Sequence, residues 1–334
     1  MNKSVLIVGA GGFIGGHISK VGLERGYIVW AGIRESTSRR YLDDPRINFL
    51  VLDYENTEQM TRAITEAMPE GQRWDYIIYN LGATKCVNFN AFRRINHEYL
   101  KNFLDCITTL DKVPLRFLFM SSLSALGVGD EVNYSPFTSK SIPQPNTAYG
   151  VSKIQAEIEI TTRDIPYTIF RATGVYGPHE QDYLMMIKCI DHHFDFGVGF
   201  KKQVLTFIYV DDLVNAMYDA LVAPAAVKKK YIISEDRAYT QAEFRAIVAR
   251  LLGKKWVIPI KLPLWMARFA SVVAEKWGAI RMKPSTLNRD KFKIMRQRNW
   301  NCDVSEAKAD FNFSPRFPLE DGLRETINSY LNKD

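Results

Sequence analysis

Residues 5–15 read VLIVGAGGFIG, and the meaning of this stretch decides the fold. An apolar run, residues 5–8, stops at Gly9. Gly12 and Gly15 follow at three-residue intervals, and a helical pattern carrying Ile18 and Leu23 begins at once. Glycine at the first place lets the chain turn tightly, at the second it admits a pyrophosphate to the main chain, and at the third it lets helix and sheet pack closely. The free amides and the dipole of such a helix start favour an anion. A glycine triplet alone reads equally as a plain turn; its place after a first strand makes it a phosphate cradle.

The strand-and-helix rhythm continues. Residues 28–31, 48–52, 76–80 and 116–120 are further strand-like runs, separated by segments of helical length. This is the βαβ pattern of a parallel sheet covered on both faces, which binds ligands at the strands' carboxyl ends where the strand order reverses. After about Gly177 the rhythm loosens: residues 183–194 look helical, and 204–210 and 231–234 strand-like. Residues 240–252 are helical, with Thr240 and Glu243 spaced as a capping box. Pro259, Pro263, Pro284, Pro315 and Pro318 punctuate the remainder. The expected fold is α/β, a Rossmann-type doubly wound parallel sheet with a smaller C-terminal α/β substrate-binding domain. The expected division gives residues 1–176, with a return segment at about 205–236, to an NAD(P)-binding domain, and 177–204 and 237–334 to the substrate domain.

Composition narrows the classes. A chain of 334 residues, 46% hydrophobic and 24% charged, reads as soluble and globular. Cys86, Cys106, Cys189 and Cys302 have no CxxC spacing, so neither a disulfide framework nor a zinc knuckle is expected, and the reading is cytoplasmic. The first residues run straight into a strand, so secretion is not expected. The longest apolar stretch, 262–277, is broken by Arg268, Glu275 and Lys276, so no membrane span is expected. The net charge of +7 invites a nucleic-acid reading. Lys228, Lys229 and Lys230 form the one compact basic run, so no nucleic-acid partner is expected. His192 and His193 are adjacent and point to different helix faces, and no metal is expected.

The candidate chemistry lies in four places. After the second run come Ile33, which cannot accept a hydrogen bond from a ribose, and Arg34, which suits a 2′-phosphate. The reading is NADP, with NAD as the alternative through the neighbouring Glu35. Asp53 is placed either to receive an adenine amino group or to cap the next helix. Tyr149 and Lys153 are four apart and share a helix face. A phenol titrating near ~10 becomes a useful acid and base when an ammonium favours its ionised form. Lys153 is also placed to hold the nicotinamide ribose. Ser121, Ser122 and Ser124 follow the run at 116–120, where a hydroxyl either holds a substrate oxygen beside Tyr149 or caps a helix.

These segments resemble a family. GAGGFIG (9–15), NLGAT (80–84), SSLSALG (121–127), YGVSK (149–153), FRATGVYGP (170–178) and FIYVDD (207–212) occur in order, followed by DVSEAKADFNFSP (303–315) and LEDGL (319–323). Together they are similar to the extended short-chain dehydrogenases/reductases, the NAD-dependent epimerase/dehydratase superfamily, from about residue 3 to residue 330. The resemblance implies hydride transfer at a secondary alcohol or ketone. It implies that Tyr149 is the catalytic acid/base, Lys153 its partner and Ser122 the catalytic hydroxyl, with Ser124 in reserve on the substrate side. It places Gly9, Gly12, Phe13, Ile14, Gly15, Arg34, Asp53, Tyr54, Leu81, Gly82, Ala83 and Asn96 around the cofactor, Asn96 supporting the backbone. Arg171 and Gly177 would sit near the entry to the substrate lobe. Homodimers built from two helices per subunit, one carrying Tyr149 and Lys153, are also implied.

Two departures matter. Dehydratases of this family carry an acidic pair after the hydroxyl residue; here Leu123 and Ser124 stand there, so dehydration is not expected. Many sugar-nucleotide epimerases carry an asparagine where this chain has Gly174, leaving Lys201 and Lys202 as candidates to receive a substrate diphosphate. The leading reading is a nucleotide-sugar epimerase or an oxidoreductase/reductase acting on a small molecule. The alternatives are a 3β-hydroxysteroid or dihydroflavonol-type dehydrogenase, suited by the apolar residues 262–269, and a non-catalytic NAD(P)-sensing or RNA-associated protein.

Overall fold

The computed structural model describes residues 2–280 and 288–332, with the backbone alone for 276–280; Pro284 and the side chain of Lys276 lie outside the described residues. The strands are β1 (Ser4–Val8), β2 (Ile28–Ile33), β3 (Asn48–Val51), β4 (Tyr76–Tyr79), β5 (Arg116–Ser122), β6 (Tyr167–Ala172), β7 (Gly174–Tyr176), β8 (Phe194–Val198), β9 (Val204–Tyr209), β10 (Lys229–Ile233), β11 (Ala238–Thr240) and β12 (Ile258–Leu262). The α-helices are α1 (Phe13–Glu24), α2 (Thr57–Ala67), α3 (Phe89–Arg93), α4 (Tyr99–Thr109), α5 (Ala148–Thr161), α6 (Asp182–Asp191), α7 (Val210–Val222), α8 (Gln241–Leu251), α9 (Leu264–Ile280), α10 (Arg289–Arg296), α11 (Ser305–Phe311) and α12 (Leu319–Leu331).

Alternation along β1 explains the layering. Val5 and Ile7 point to one face, where α1 and α7 bury Ile18, Val21, Val214 and Met217. Leu6 and Val8 point to the other, where α2, α4 and α5 bury Met60, Ile64, Phe103 and Ile160. A strand apolar on both sides must be covered on both, and the result is a seven-stranded parallel sheet in the order β3-β2-β1-β4-β5-β6-β10. The expected Rossmann-type sheet is the observed one.

Three details differ from the sequence reading. β6 was not among the expected strands, because Thr168 and Arg171 break its apolar run; both side chains are buried with partners. Residues 34–47, between β2 and β3, make turns instead of a crossover helix. β9 pairs with β7 and β11 in a separate three-stranded sheet instead of joining the main one.

A second core gathers Tyr176, Ile187, Phe207, Phe244, Leu323 and Ile327 around that smaller sheet. The capping box of Thr240 and Glu243 starts α8 as expected. β8 and β12 form a parallel two-stranded ribbon that leads directly into α9.

Candidate active site

The strand order reverses between β1 and β4, so their carboxyl ends diverge and open a crevice. Gly9 lies at φ +87°, and a Cβ there would stand 2.7 Å from the Leu81 amide nitrogen, so the loops after β1 and β4 touch. A Cβ on Gly15 would lie 2.4 Å from the Gly9 carbonyl oxygen, which forces glycine where α1 meets the loop. Gly12 is different: a Cβ there would meet only the Gly9 oxygen, at 3.8 Å. No side chain caps α1, so its first N–H groups donate to no cap side chain. This cradle fits a dinucleotide's pyrophosphate. Phe13 and Ile14 begin α1 and pack against the core beneath the cradle.

The outer residues fall into place less uniformly. Arg34 is exposed just beyond β2, its amide donating to Thr37 Oγ1 at 3.1 Å. Asp53 accepts from the amides of Glu55 (3.0 Å) and Asn56 (3.3 Å), so it shapes the turn before α2, while Asn56 is the residue that caps that helix. Tyr54 is buried beneath the crevice floor, stacked on Tyr99 with ring centroids 5.4 Å apart.

A chain of hydrogen bonds ties the β4 loop to α5. Asn96, buried in a π-helical turn at Arg94–Glu98, accepts from the Ala83 amide (2.7 Å) and donates to the Ala83 carbonyl (3.0 Å) and to Ser152 Oγ (2.9 Å). Ser152 Oγ in turn donates to the Tyr149 carbonyl at 2.7 Å. Wide helical turns of this kind occur disproportionately at working sites. Leu81, Gly82 and Ala83 are thereby fixed against α5, and a Cβ on Gly82 would crowd Lys153 Nζ at 3.0 Å.

Ser122, Tyr149 and Lys153 converge above the sheet edge. Thr147 caps α5 by accepting from the Gly150 amide, which sets the first turn that carries Tyr149. Lys153 is 3% exposed and donates to the Met120 carbonyl at 2.8 Å, with its Nζ 6.0 Å from the Tyr149 ring centroid. Ser122 Oγ accepts from the Ser124 amide at 3.2 Å, and its hydroxyl faces the Tyr149 phenol. Burial pushes Tyr149 up to about 12, with Ser122 working the other way. Burial pushes Lys153 down to about 8 against the pull of Glu157. The expected depression of the phenol by the lysine is therefore corrected: burial dominates, and the lysine's hydrogen bond goes to Met120.

Arg171 is a second correction. It does not line an entry: it is 2% exposed and grips the fully buried Glu157 through Nε (3.0 Å) and Nη2 (2.6 Å). Ser121 donates to the same carboxylate at 2.7 Å, and Lys230 approaches it at 3.2 Å. Gly174 leaves room for a neighbour, since a Cβ there would fall 1.9 Å from the Tyr183 hydroxyl oxygen. Lys201 and Lys202 are exposed on the loop after β8; the Lys202 carbonyl accepts from the Tyr134 hydroxyl at 2.8 Å.

Several neighbours escaped the sequence reading. Glu157 continues the spacing Tyr149, Lys153 by one more turn, a signal that was present and unread. Asp182, at the start of α6, bridges Lys85 (2.5 Å) and Lys291 (3.0 Å), joining the β4 loop to α10. Asp290 of α10 accepts from the Tyr149 amide at 3.2 Å, and Lys293 donates to the Asn146 carbonyl at 2.6 Å. No local pattern marks these contacts, which join segments 97 to 147 residues apart. Among the described residues no group of histidine, cysteine and carboxylate side chains is arranged to hold a metal ion.

The chain matches the model of the NAD dependent epimerase/dehydratase family over residues 5–234. It is similar to a UDP-glucose 4-epimerase of Vibrio cholerae, at 22% identity over 99% of this chain and 96% of that one. It is also similar to a decarboxylating sterol-4-alpha-carboxylate 3-dehydrogenase of Mus musculus, at 21% identity over 99% and 92%. Among solved structures, a dTDP-glucose 4,6-dehydratase of Bacillus anthracis in complex with NAD shares the fold with a TM-score of 0.77, at 18% identity over 99% of this chain and 97% of that chain. A UDP-glucose 4-epimerase of Thermotoga maritima with UDP-glucose does so with a TM-score of 0.76, at 21% identity over 98% of each.

Proposed function

Because the chain belongs to the NAD-dependent epimerase/dehydratase family, we propose that it is an enzyme of hydride transfer at a secondary alcohol or ketone carbon of a small molecule. The observation that carries this reading is the convergence of Ser122, Tyr149 and Lys153 beside a glycine cradle. Residues Gly9, Gly12 and Gly15 hold the dinucleotide's phosphates, Leu81 to Ala83 its ribose side, and Arg34 a 2′-phosphate, which favours NADP over NAD. When bound, that nucleotide supplies the acceptor or donor of hydride.

The chain's own groups handle the proton. With its pKa near 12, the Tyr149 hydroxyl keeps its proton at neutral pH and donates it to a carbonyl oxygen being reduced. Ser122 Oγ, beside it, holds that same oxygen in line. Lys153, fixed by Met120 with its Nζ 6.0 Å from the Tyr149 ring centroid, keeps a positive charge on the phenol's side of the site, which steadies the phenolate once the proton has left. Leu123 and Ser124 give no second acid and base after Ser122, which favours epimerisation or net redox over dehydration. In the same reading, residues 177–204 and 237–334 form the substrate lobe, and two copies pair through two helices each, one of them α5.

Tyr149→Phe tests the assignment: NADP binding stays close to the parent's while turnover falls about 10²–10⁴-fold. Equal loss of binding and turnover overturns it. Fluorescence of the purified protein separates a retained nicotinamide, as an epimerase keeps, from one exchanged each cycle. A second reading, a hydroxysteroid or dihydroflavonol-type dehydrogenase, is favoured by the sterol dehydrogenase relative and by Gly174. Thermal stabilisation by UDP-sugars or GDP-sugars against hydroxysteroids distinguishes the two.

A further inference from the structure

We infer that the outward face of α9, with the β8/β12 ribbon beside it, seats the protein on the surface of an anionic lipid bilayer. The inference is independent of the reaction proposed above. α9 is built the wrong way round for a helix in water. Its small residues Ala267 and Ser271 face the body, while Trp265 (71% exposed), Met266, Phe269 (69% exposed) and Val273 face out. At about 100° per residue these four side chains fall on one side of the helix. Core-facing helices put their large apolar residues inward, so this one presents its face to something else.

The ribbon extends the same surface. Phe194 and Phe196 point outward from β8, Ile258 pairs beside Phe194, and the alternate residue Asp195 turns inward to Arg245 and Gln241. Phe200 and Trp256 are exposed at the ribbon's ends. Leu264 lies against Gly199, so ribbon and helix meet. At roughly 150–250 Å² for each large aromatic side chain, the patch reaches several hundred Å², more than a free soluble surface ordinarily shows.

Charge selects the occupant. Lys201, Lys202, Lys255, Lys261 and Arg268 are exposed on these same segments. The carboxylates interleaved with them are engaged elsewhere: Asp195 with Arg245, Glu275 with Arg289, and Asp191 with Lys254. An aromatic and aliphatic face rimmed by lysine and arginine is the pattern of a helix lying in the headgroup boundary, its apolar side sunk by roughly 5–10 Å. Each basic residue adds attraction to anionic lipid. Among the described residues no helix is long and apolar enough to cross a membrane, so the seat is on the surface and not through it. The patch adjoins α10, whose Asp290 and Lys291 reach the candidate active site, so a seated molecule holds that site close to the lipid.

The test is flotation of the full chain with phosphatidylcholine vesicles, with and without phosphatidylglycerol. The protein should float with the phosphatidylglycerol vesicles, and added salt should weaken the association. Trp265→Glu/Phe269→Glu should lower vesicle affinity at least about tenfold while leaving the melting temperature unchanged, since neither side chain is in the core. Lys255→Glu/Lys261→Glu, which leaves the apolar face intact, should weaken binding to the phosphatidylglycerol vesicles alone. Failure of the parent to float, or equal flotation of parent and both variants, overturns the inference. So does a parent dimer in sedimentation that Trp265→Glu/Phe269→Glu dissolves, because a second copy then covers the face.

Discussion

Arg171→Met should cost about 3–5 kcal/mol of folding stability, the range for removing one member of a buried ion pair. The Glu157 carboxylate is fully buried and held by two guanidinium nitrogens, the Ser121 hydroxyl and the Lys230 ammonium. Without Arg171 it keeps the hydroxyl and a lysine that is about one-third exposed (31%), too little to replace the water it has lost. Arg171→Met/Glu157→Met should recover at least about half of the loss, because an apolar pair of similar volume leaves no stranded charge. Urea denaturation followed by tryptophan fluorescence, read at equal m, measures both. Burial works to raise Glu157, but Arg171, Lys230 and Ser121 outweigh it and hold the carboxyl below its ordinary range. Its stabilisation is thus complete above that ordinary range and disappears as pH falls through the lower folded value; Glu157→Gln removes that acid limb. The same change withdraws the carboxylate that raises Lys153, so the lysine's pKa falls below about 8 and the alkaline limb of kcat/KM moves to lower pH. A single substitution at Arg171 costing under about 1 kcal/mol, or a double variant no better than the single, refutes the reasoning.

Other outcomes can be stated more briefly. Gly15→Ala drives a Cβ into the Gly9 carbonyl, 2.4 Å away, so the cradle must open; dinucleotide affinity should drop about tenfold or more in titration calorimetry, with a smaller change in melting temperature. Arg34→Asp should turn the preference from NADP to NAD, read as the ratio of kcat/KM for the two; an unchanged ratio removes Arg34 from the 2′-phosphate. Tyr149→Phe and the vesicle experiment test the chemistry and the surface already described.

The parallel sheet was legible because β1 to β5 are apolar on alternate residues that serve two faces, and because Gly9, Gly12 and Gly15 punctuate the first turn. β6 was not, because its polar side chains are satisfied by other elements: Thr168 donates to the Ala226 carbonyl, and Arg171 to Glu157 of α5. The pair Tyr149 and Lys153 was readable from one helical turn. What those two groups feel was not, since their pKa values are set mainly by burial, which spacing does not reveal. Arg171 illustrates the limit: its sequence neighbours place it by a turn near the candidate site, while the carboxylate that captures it lies on another element. The exposed face of α9 was likewise hidden, because apolar residues at helical spacing look the same whether they point in or out.

The main sheet closes late. β10, its edge strand, pairs with β6, yet residues 174–209, with β7, β8 and β9, intervene between them in the chain. A polypeptide truncated after residue 176 would leave the backbone of β6 bare along one side, an invitation to self-association instead of a smaller working unit. The chain thus leaves the large sheet after β6, builds β7 and β9 of the smaller one and returns for β10, so a ribosome must deliver residue 233 before the large sheet can be completed.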